Sequence, residues 1–235
     1  PASERFSGDI FKIQANMNPA HRDRIAFLRI VSGKFERGMS VRHVRADKEI
    51  KLAQPQQFLA QDRDIVEVAY PGDIIGLFDP GIFRLGDTLC QRGSFTFNEL
   101  PTFSPELFCK VTIKNTLKHK QYQKGIEQLT EEGTIQLFRS LNFDETILGV
   151  VGQLQFEVFE YRMKYEYGVD IDMYRLNWQI ARWIEGDNID PGKFRVNSTL
   201  VKDKHDRFVG LFENEYALRS AMEKNPTLTF LETPR

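Results

Sequence analysis

Apolar and polar positions alternate near the start of the chain. Phe11, Ile13 and Ala15 are apolar, while Lys12, Gln14 and Asn16 are polar. A period of two predicts a strand with one buried face. Arg24–Ser32 is a second apolar-rich run ending at Gly33, and 39–44 resumes after Gly38. Short runs follow at 65–69, 74–78 and Thr88–Cys90, separated by Pro71-Gly72, Asp79-Pro80-Gly81 and Gly86-Asp87. Several short strands set off by turn residues, with no helical period among them, predict a closed β-barrel.

The period changes after 93–105, a stretch holding Gly93, Pro101 and Pro105. A domain boundary there divides the chain into 1–98 and 99–235. Leu107–Ile113 reads as a strand. Residues 121–132 read as a helix with Tyr122, Ile126 and Leu129 on one face, capped by Gly133. Strands are predicted at 134–139 and 146–151, a helix at 153–167, and a strand at 169–175 that continues through 178–184. The order β-α-β-β-α-β is that of a ferredoxin-like domain. A short α/β extension completes the chain. It consists of a strand at Phe208–Phe212, a helix from the N-cap Asn214 to Lys224, a stop at Asn225-Pro226 and a strand at 227–231.

The 153–167 helix carries two apolar stripes. Val151, Leu154, Val158, Tyr161 and Tyr165 step by three and four, as one face of a helix does. Phe156, Phe159 and Met163 form the second stripe. The pattern predicts a helix covered over a broad face, with Leu154 in the core.

Composition adds mainly exclusions. Lys and Arg total 32 against 33 Asp and Glu, a net charge of −1. No bulk field therefore draws the chain to nucleic acid, and any RNA contact has to be local. No apolar run approaches the length of a membrane span, and no charged-then-apolar leader precedes the first strand. Cys90 and Cys109 lack metal-type spacing, which fits reduced thiols in the cytoplasm.

Catalytic constellations are not apparent. In the stretch from Gly33 to Gly38, Met39 stands where a phosphate loop needs lysine. Gly33-Lys34 and Gly192-Lys193 are each followed by phenylalanine, with no hydroxyl to hold magnesium. His21, His43, His119 and His205 are scattered. Asp170 and Asp172 fall on the polar face of a strand, where alternation puts them without any metal. By itself the chain is expected to be neither an enzyme nor a cofactor or metal binder. Two local basic clusters remain. Basic residues outnumber acidic ones between His21 and Lys51, with His21, Arg22 and Arg24 in one loop and Lys34 and Arg37 in a turn. Lys118, Lys120 and Lys124 form the other cluster, at the start of the 121–132 helix, where a phosphate would also feel the helix dipole. Such cations supply position and salt-dependent affinity for RNA.

Several strings resemble a known family. The stretch Gly149-Val150-Val151-Gly152-Gln153-Leu154 is similar to the helix entry in the third domain of translational GTPases such as elongation factor G. The stretches 11–17, 21–27, 32–39 and 69–77 resemble the second domain of these proteins, and 124–139 the third. Together they look most like the class-II peptide chain release factors. Elongation factors G carry two further domains after the ferredoxin-like one. They also usually have an aspartate where Gly133 stands.

The resemblance implies a barrel and a ferredoxin-like domain that follow a GTP-binding domain in the parent, where GTP or GDP would bind with magnesium. It implies a parent GTPase that drives class-I release factors off the ribosome after peptide release. These two domains would pack beside the parent's own GTP-binding domain and dock on the small ribosomal subunit and its RNA, with no DNA or membrane partner. A fragment of an elongation or ribosome-protection factor, or a stand-alone ribosome- or RNA-binding adaptor, is the alternative.

Overall fold

The computed structural model describes residues 5–15, 24–52, 55–59, 62–91, 103–142 and 144–235. The expected boundary at 93–105 therefore lies largely outside the described residues. The chain divides into two compact units, the first made of Pro1–Leu100 with Glu131–Gly133 and the second of Pro101–Thr130 with Thr134–Arg235.

The first unit is a curled antiparallel sheet of the barrel type. Its strands are β1 (Ser7–Ala15), β2 (Arg24–Ser32), β3 (Phe35–Glu36), β4 (Ser40–His43), β5 (Lys48–Lys51), β6 (Pro55–Leu59), β7 (Asp62–Ile65), β8 (Val68–Ala69), β9 (Ile74–Asp79) and β10 (Thr88–Cys90). The sheet order is β5-β4-β10-β1-β2-β9-β6-β7, with β3 and β8 as a separate ladder. Ile10 and Ile13 of β1 and Ala26, Leu28 and Ile30 of β2 meet Ile75, Leu77 and Leu89 in one core. An irregularity between Ile10 and Lys12 breaks the β1–β2 register. An extra residue there increases twist, which lets the long strand bend around the core.

This core also contains a polar cluster. The Asp87 carboxylate meets His43 Nε2 at 2.6 Å and accepts from Arg45 Nε at 2.7 Å and the Arg84 amide at 2.8 Å. Burial pushes the Asp87 carboxyl up, but these hydrogen bonds outweigh it and hold it below the usual carboxylate range.

The second unit begins with β11 (Leu107–Ile113), α1 (His119–Glu131), β12 (Gln136–Ser140), β13 (Thr146–Val150), α2 (Gln153–Tyr167) and β14 (Ile171–Leu176). Strands β14-β11-β13-β12 are adjacent in that order and every pairing is antiparallel, as a ferredoxin-like domain requires. Tyr122, Ile126 and Leu129 of α1 are buried as the period predicts, against Phe156, Phe159 and Met163 of α2. The ends of α2 fall at the flanking glycines. The Gln155 side chain accepts from the Gly152 amide at 2.8 Å. Gly168, at φ 65°, donates to the Lys164 carbonyl.

The remaining elements are β15 (Ile180–Glu185), β16 (Ser198–Asp203), β17 (Phe208–Phe212), α3 (Glu215–Lys224) and β18 (Thr229–Leu231). They do not hang off the domain. They continue its sheet as β12-β16-β17-β15-β18. The expected continuation of β14 through 178–184 is therefore wrong, since β15 pairs with β17 and β18 instead. Alternation also predicts no strand at 198–203, yet β16 joins the two halves of the sheet.

In a flat sheet β14 and β15 would lie six strands apart, roughly 29 Å at the usual spacing. Residues 177–179 can span only about 14 Å, so the sheet must roll. Its inner face is the core of Phe108, Phe138, Ile147, Ala181, Trp183, Val209 and Leu211, with Leu176 and Trp178 packed against it. Asp203 locks the roll by accepting from Trp183 Nε1 at 3.0 Å and Arg207 Nε at 2.8 Å. Burial pushes the Asp203 carboxyl up, but these bonds and the Arg207 amide hold it below its ordinary value.

Candidate functional site

The predicted contact residues fall into four situations. His21 and Arg22 lie outside the described residues. Arg24 is described, and it is not on the surface: its side chain is 4% exposed. It begins β2 directly opposite Asp79, the last residue of β9. Its Nη2 lies 3.2 Å from Asp79 Oδ2 and donates to the Phe83 carbonyl. Asp79 Oδ1 in turn accepts from the amides of Gly81, Ile82 and Phe83. The expectation that Arg24 meets RNA is corrected accordingly. The guanidinium stitches the 79–83 turn to β2, and sequence proximity to Arg22 concealed this.

Lys34 and Arg37 flank the short strand β3, whose Phe35 is buried and anchors the turn. Gly33 and Gly38 take positive φ at its two ends. Both cations are partly exposed, and each already has a carboxylate. Lys34 Nζ lies 3.1 Å from Glu36, and Arg37 Nη1 lies 2.8 Å from Glu67. The hydrogen bond to Glu36 holds the Lys34 ammonium above its ordinary pKa. A phosphate would have to compete with these partners.

Lys118, Lys120 and Lys124 are all exposed, at the start of α1. The turn leading into the helix is fixed at two points. Asn115 Oδ1 accepts from the Leu117 amide at 3.0 Å, and Lys118 Nζ donates to the Gly168 carbonyl at 2.7 Å, at the end of α2. Leu117, between them, is 91% exposed. No acidic residue occupies the first turn of α1. Cations at a helix N-terminus oppose the macrodipole, at a cost of a few tenths of a kcal/mol to about 1 kcal/mol. The amides leading into α1 are already taken, His119 donating to the Thr116 carbonyl and Lys118 to the Asn115 carbonyl, so the exposed lysines themselves make this end attractive to anions.

Among the described residues, no group of three or more His, Cys, Asp or Glu side chains could hold a metal ion. Asp172 is occupied by Lys114 at 3.5 Å. Burial pushes the Cys90 and Cys109 thiols up. No helix among the described residues is long and apolar enough to cross a membrane.

One surface feature was legible in the sequence but assigned to the wrong side. Of the two stripes on α2, Phe156, Phe159 and Met163 are buried. Val151, Leu154, Val158, Tyr161 and Tyr165 face solvent, with Leu154 68% exposed. The expectation of a core Leu154 is therefore wrong. Both stripes satisfy a helical period, and only the position of the sheet chooses between them.

Comparison with known proteins agrees with this architecture. Residues 5–92 match the family model for elongation factor G domain 2. Residues 97–222 match the model described as class II release factor RF3, C-terminal domain. The chain is 56% identical over 99% of its length to a peptide chain release factor 3 of Symbiobacterium thermophilum, covering 45% of that protein. It is 53% identical to the peptide chain release factor 3 of Macrococcus caseolyticus and 52% identical to that of Staphylococcus haemolyticus, covering 44% of each. The chain thus spans under half the length of these relatives. A crystal structure of a protein from Thermus thermophilus shares the fold, with a TM-score of 0.58 at 22% identity over 72% of this chain and 26% of that one.

Proposed function

This chain belongs to the peptide chain release factor 3 family, and from that premise we propose that it is the ribosome-docking part of a GTP-dependent termination factor. In the full-length protein, GTP and magnesium bind in the portion that this sequence does not include. The two domains, 1–98 and 99–235, dock on the small ribosomal subunit in the cytoplasm. They convert nucleotide state into a change of orientation that favours dissociation of class-I release factors after peptide release.

The observation that carries the docking surface is the N-terminal end of α1. Lys120 and Lys124 are exposed there without a carboxylate partner among the described residues, on a helix end that is already positive. Lys118 fixes the approach to this end, and Lys34 and Arg37 are secondary contacts that exchange Glu36 and Glu67 for phosphate. His21 and Arg22 stay in the proposal on their sequence alone.

The test is ribosome co-sedimentation of the full-length protein at two salt concentrations. Lys120→Ala with Lys124→Ala is expected to weaken binding and to lower the slope of log affinity against log salt by up to about 1.8. Circular dichroism should be unchanged. Identical sedimentation at both salts would remove α1 from the interface. Arg24→Ala is expected to behave differently. It strands the buried Asp79 carboxylate and should cost roughly 3–5 kcal/mol of stability, read as a fall in the urea midpoint without ribosomes.

A further inference from the structure

An antiparallel sheet with one face on a core normally turns polar side chains to solvent on the other. The outer face of β1, β2 and β9 does not. The core takes Ala26, Leu28 and Ile30 of β2 and Ile75 and Leu77 of β9. Alternation therefore sends Phe27, Arg29, Ile74 and Phe78 outward. Ile74 is 46% exposed and Phe78 is 49% exposed. The register brings these residues into one patch, with Arg29 opposite Ile74 and Phe27 opposite Lys12 of β1. Phe11 joins Phe27, their ring centroids 6.4 Å apart.

Cations are threaded between the rings. Lys12 Nζ lies 5.6 Å from the centroid of Phe27, and the Arg29 guanidinium lies 5.2 Å from that of Phe11. The carboxylates on these three strands are Asp9 and Asp79. Asp9 is almost buried, 3.3 Å from Arg29, and Asp79 is buried against Arg24. Lys12 is exposed and Arg29 keeps about half its side chain in solvent. The charge that this face shows to water is therefore positive. Aromatic rings with cations beside them on a sheet face suit unpaired RNA, whose bases stack on the rings while the phosphates meet the cations. A duplex keeps its base faces stacked on one another and cannot use such a surface. A protein partner would have to desolvate both cations.

We propose that the outer face of β1, β2 and β9 holds unpaired nucleotides of ribosomal RNA. A base stacks on Phe78, the most open of the three rings, and neighbouring phosphates reach Lys12 and Arg29. The proposal rests on the ribosome-docking reading and adds to it a contact that works by stacking as well as by charge.

The test is ribosome co-sedimentation of the full-length protein carrying Phe78→Leu, Phe78→Tyr or Lys12→Ala, run beside the Lys120→Ala, Lys124→Ala pair. Phe78→Leu is expected to weaken binding about tenfold, with the salt slope unchanged, and Phe78→Tyr to bind as the wild type does. Lys12→Ala is expected to lower the slope by about 0.7, the value for a single strand. Urea midpoints of both Phe78 variants without ribosomes should match the wild type, because half of this side chain is already in water. Full binding by Phe78→Leu would overturn the proposal, since an aliphatic side chain can fill an apolar contact with protein but cannot stack a base. A loss shared equally by the leucine and tyrosine variants would also overturn it. If Phe78→Leu binds fully while the α1 pair still weakens binding, the stacking face fails and the docking reading stands. If neither set of changes alters binding, both fail.

Discussion

Phe159→Ala is expected to destabilise the second unit by about 3–5 kcal/mol, while Leu154→Ala, five residues earlier on the same helix, is expected to cost less than about 1 kcal/mol. Phe159 is 1% exposed among Tyr122, Ile126 and Leu129 of α1 and the inner residues of β11 and β13. Removing its ring leaves a cavity that the rolled sheet cannot collapse to fill. Leu154 has little packing to lose in the present chain, and alanine is the better helix former. Urea unfolding of both variants reads the difference directly. A cost above about 2 kcal/mol for Leu154→Ala would mean that α2 packs through the other stripe and that its orientation is wrong.

In the first unit, Asp87→Asn is expected to cost roughly 3–5 kcal/mol at neutral pH, because His43 and Arg45 lose a buried anionic partner. The side chain is 3% exposed, so water cannot substitute for it. The pH dependence gives a second readout with a definite sign. The folded carboxyl is held below its ordinary value, so in the acid range the unfolded chain binds the proton first and stability rises with pH. The contribution is complete above the unfolded carboxylate pKa of about 4 and is lost as pH falls through the lower folded value. The gap between wild type and variant should therefore shrink below about pH 4. A constant gap down to acid unfolding would show that the carboxylate charge does not matter and that only the shape of the side chain does.

How much was legible in the sequence varies with the range of the interaction that decides each feature. Turn residues and alternation located β1, β2, β9 and β10, because a half-buried strand imposes its own period. The limits of α2 were legible because Gly152 and Gly168 act through local backbone geometry. Family membership was legible because several strings occur in the right order. The candidate cations were only partly so. Lys120 and Lys124 stand exposed, but Arg24 was read as a loop charge beside Arg22. Nothing within a few residues of it reveals that Asp79, 55 positions away, lies across the ladder.

Contacts among near neighbours along the chain thus set the local elements, their ends and the β-α-β-β-α-β order, and all of these can be read from residue order. Three features needed the assembled fold: which stripe of α2 is core, where the chain goes after Leu176, and which arginine is buried. A helix with two apolar stripes is degenerate in period, and the side on which the sheet lies breaks the tie. An alternating strand such as β15 specifies a face but no partner. Its place between β17 and β18 follows from a roll that only the short linker and the shared Phe108–Phe138–Trp183 core impose.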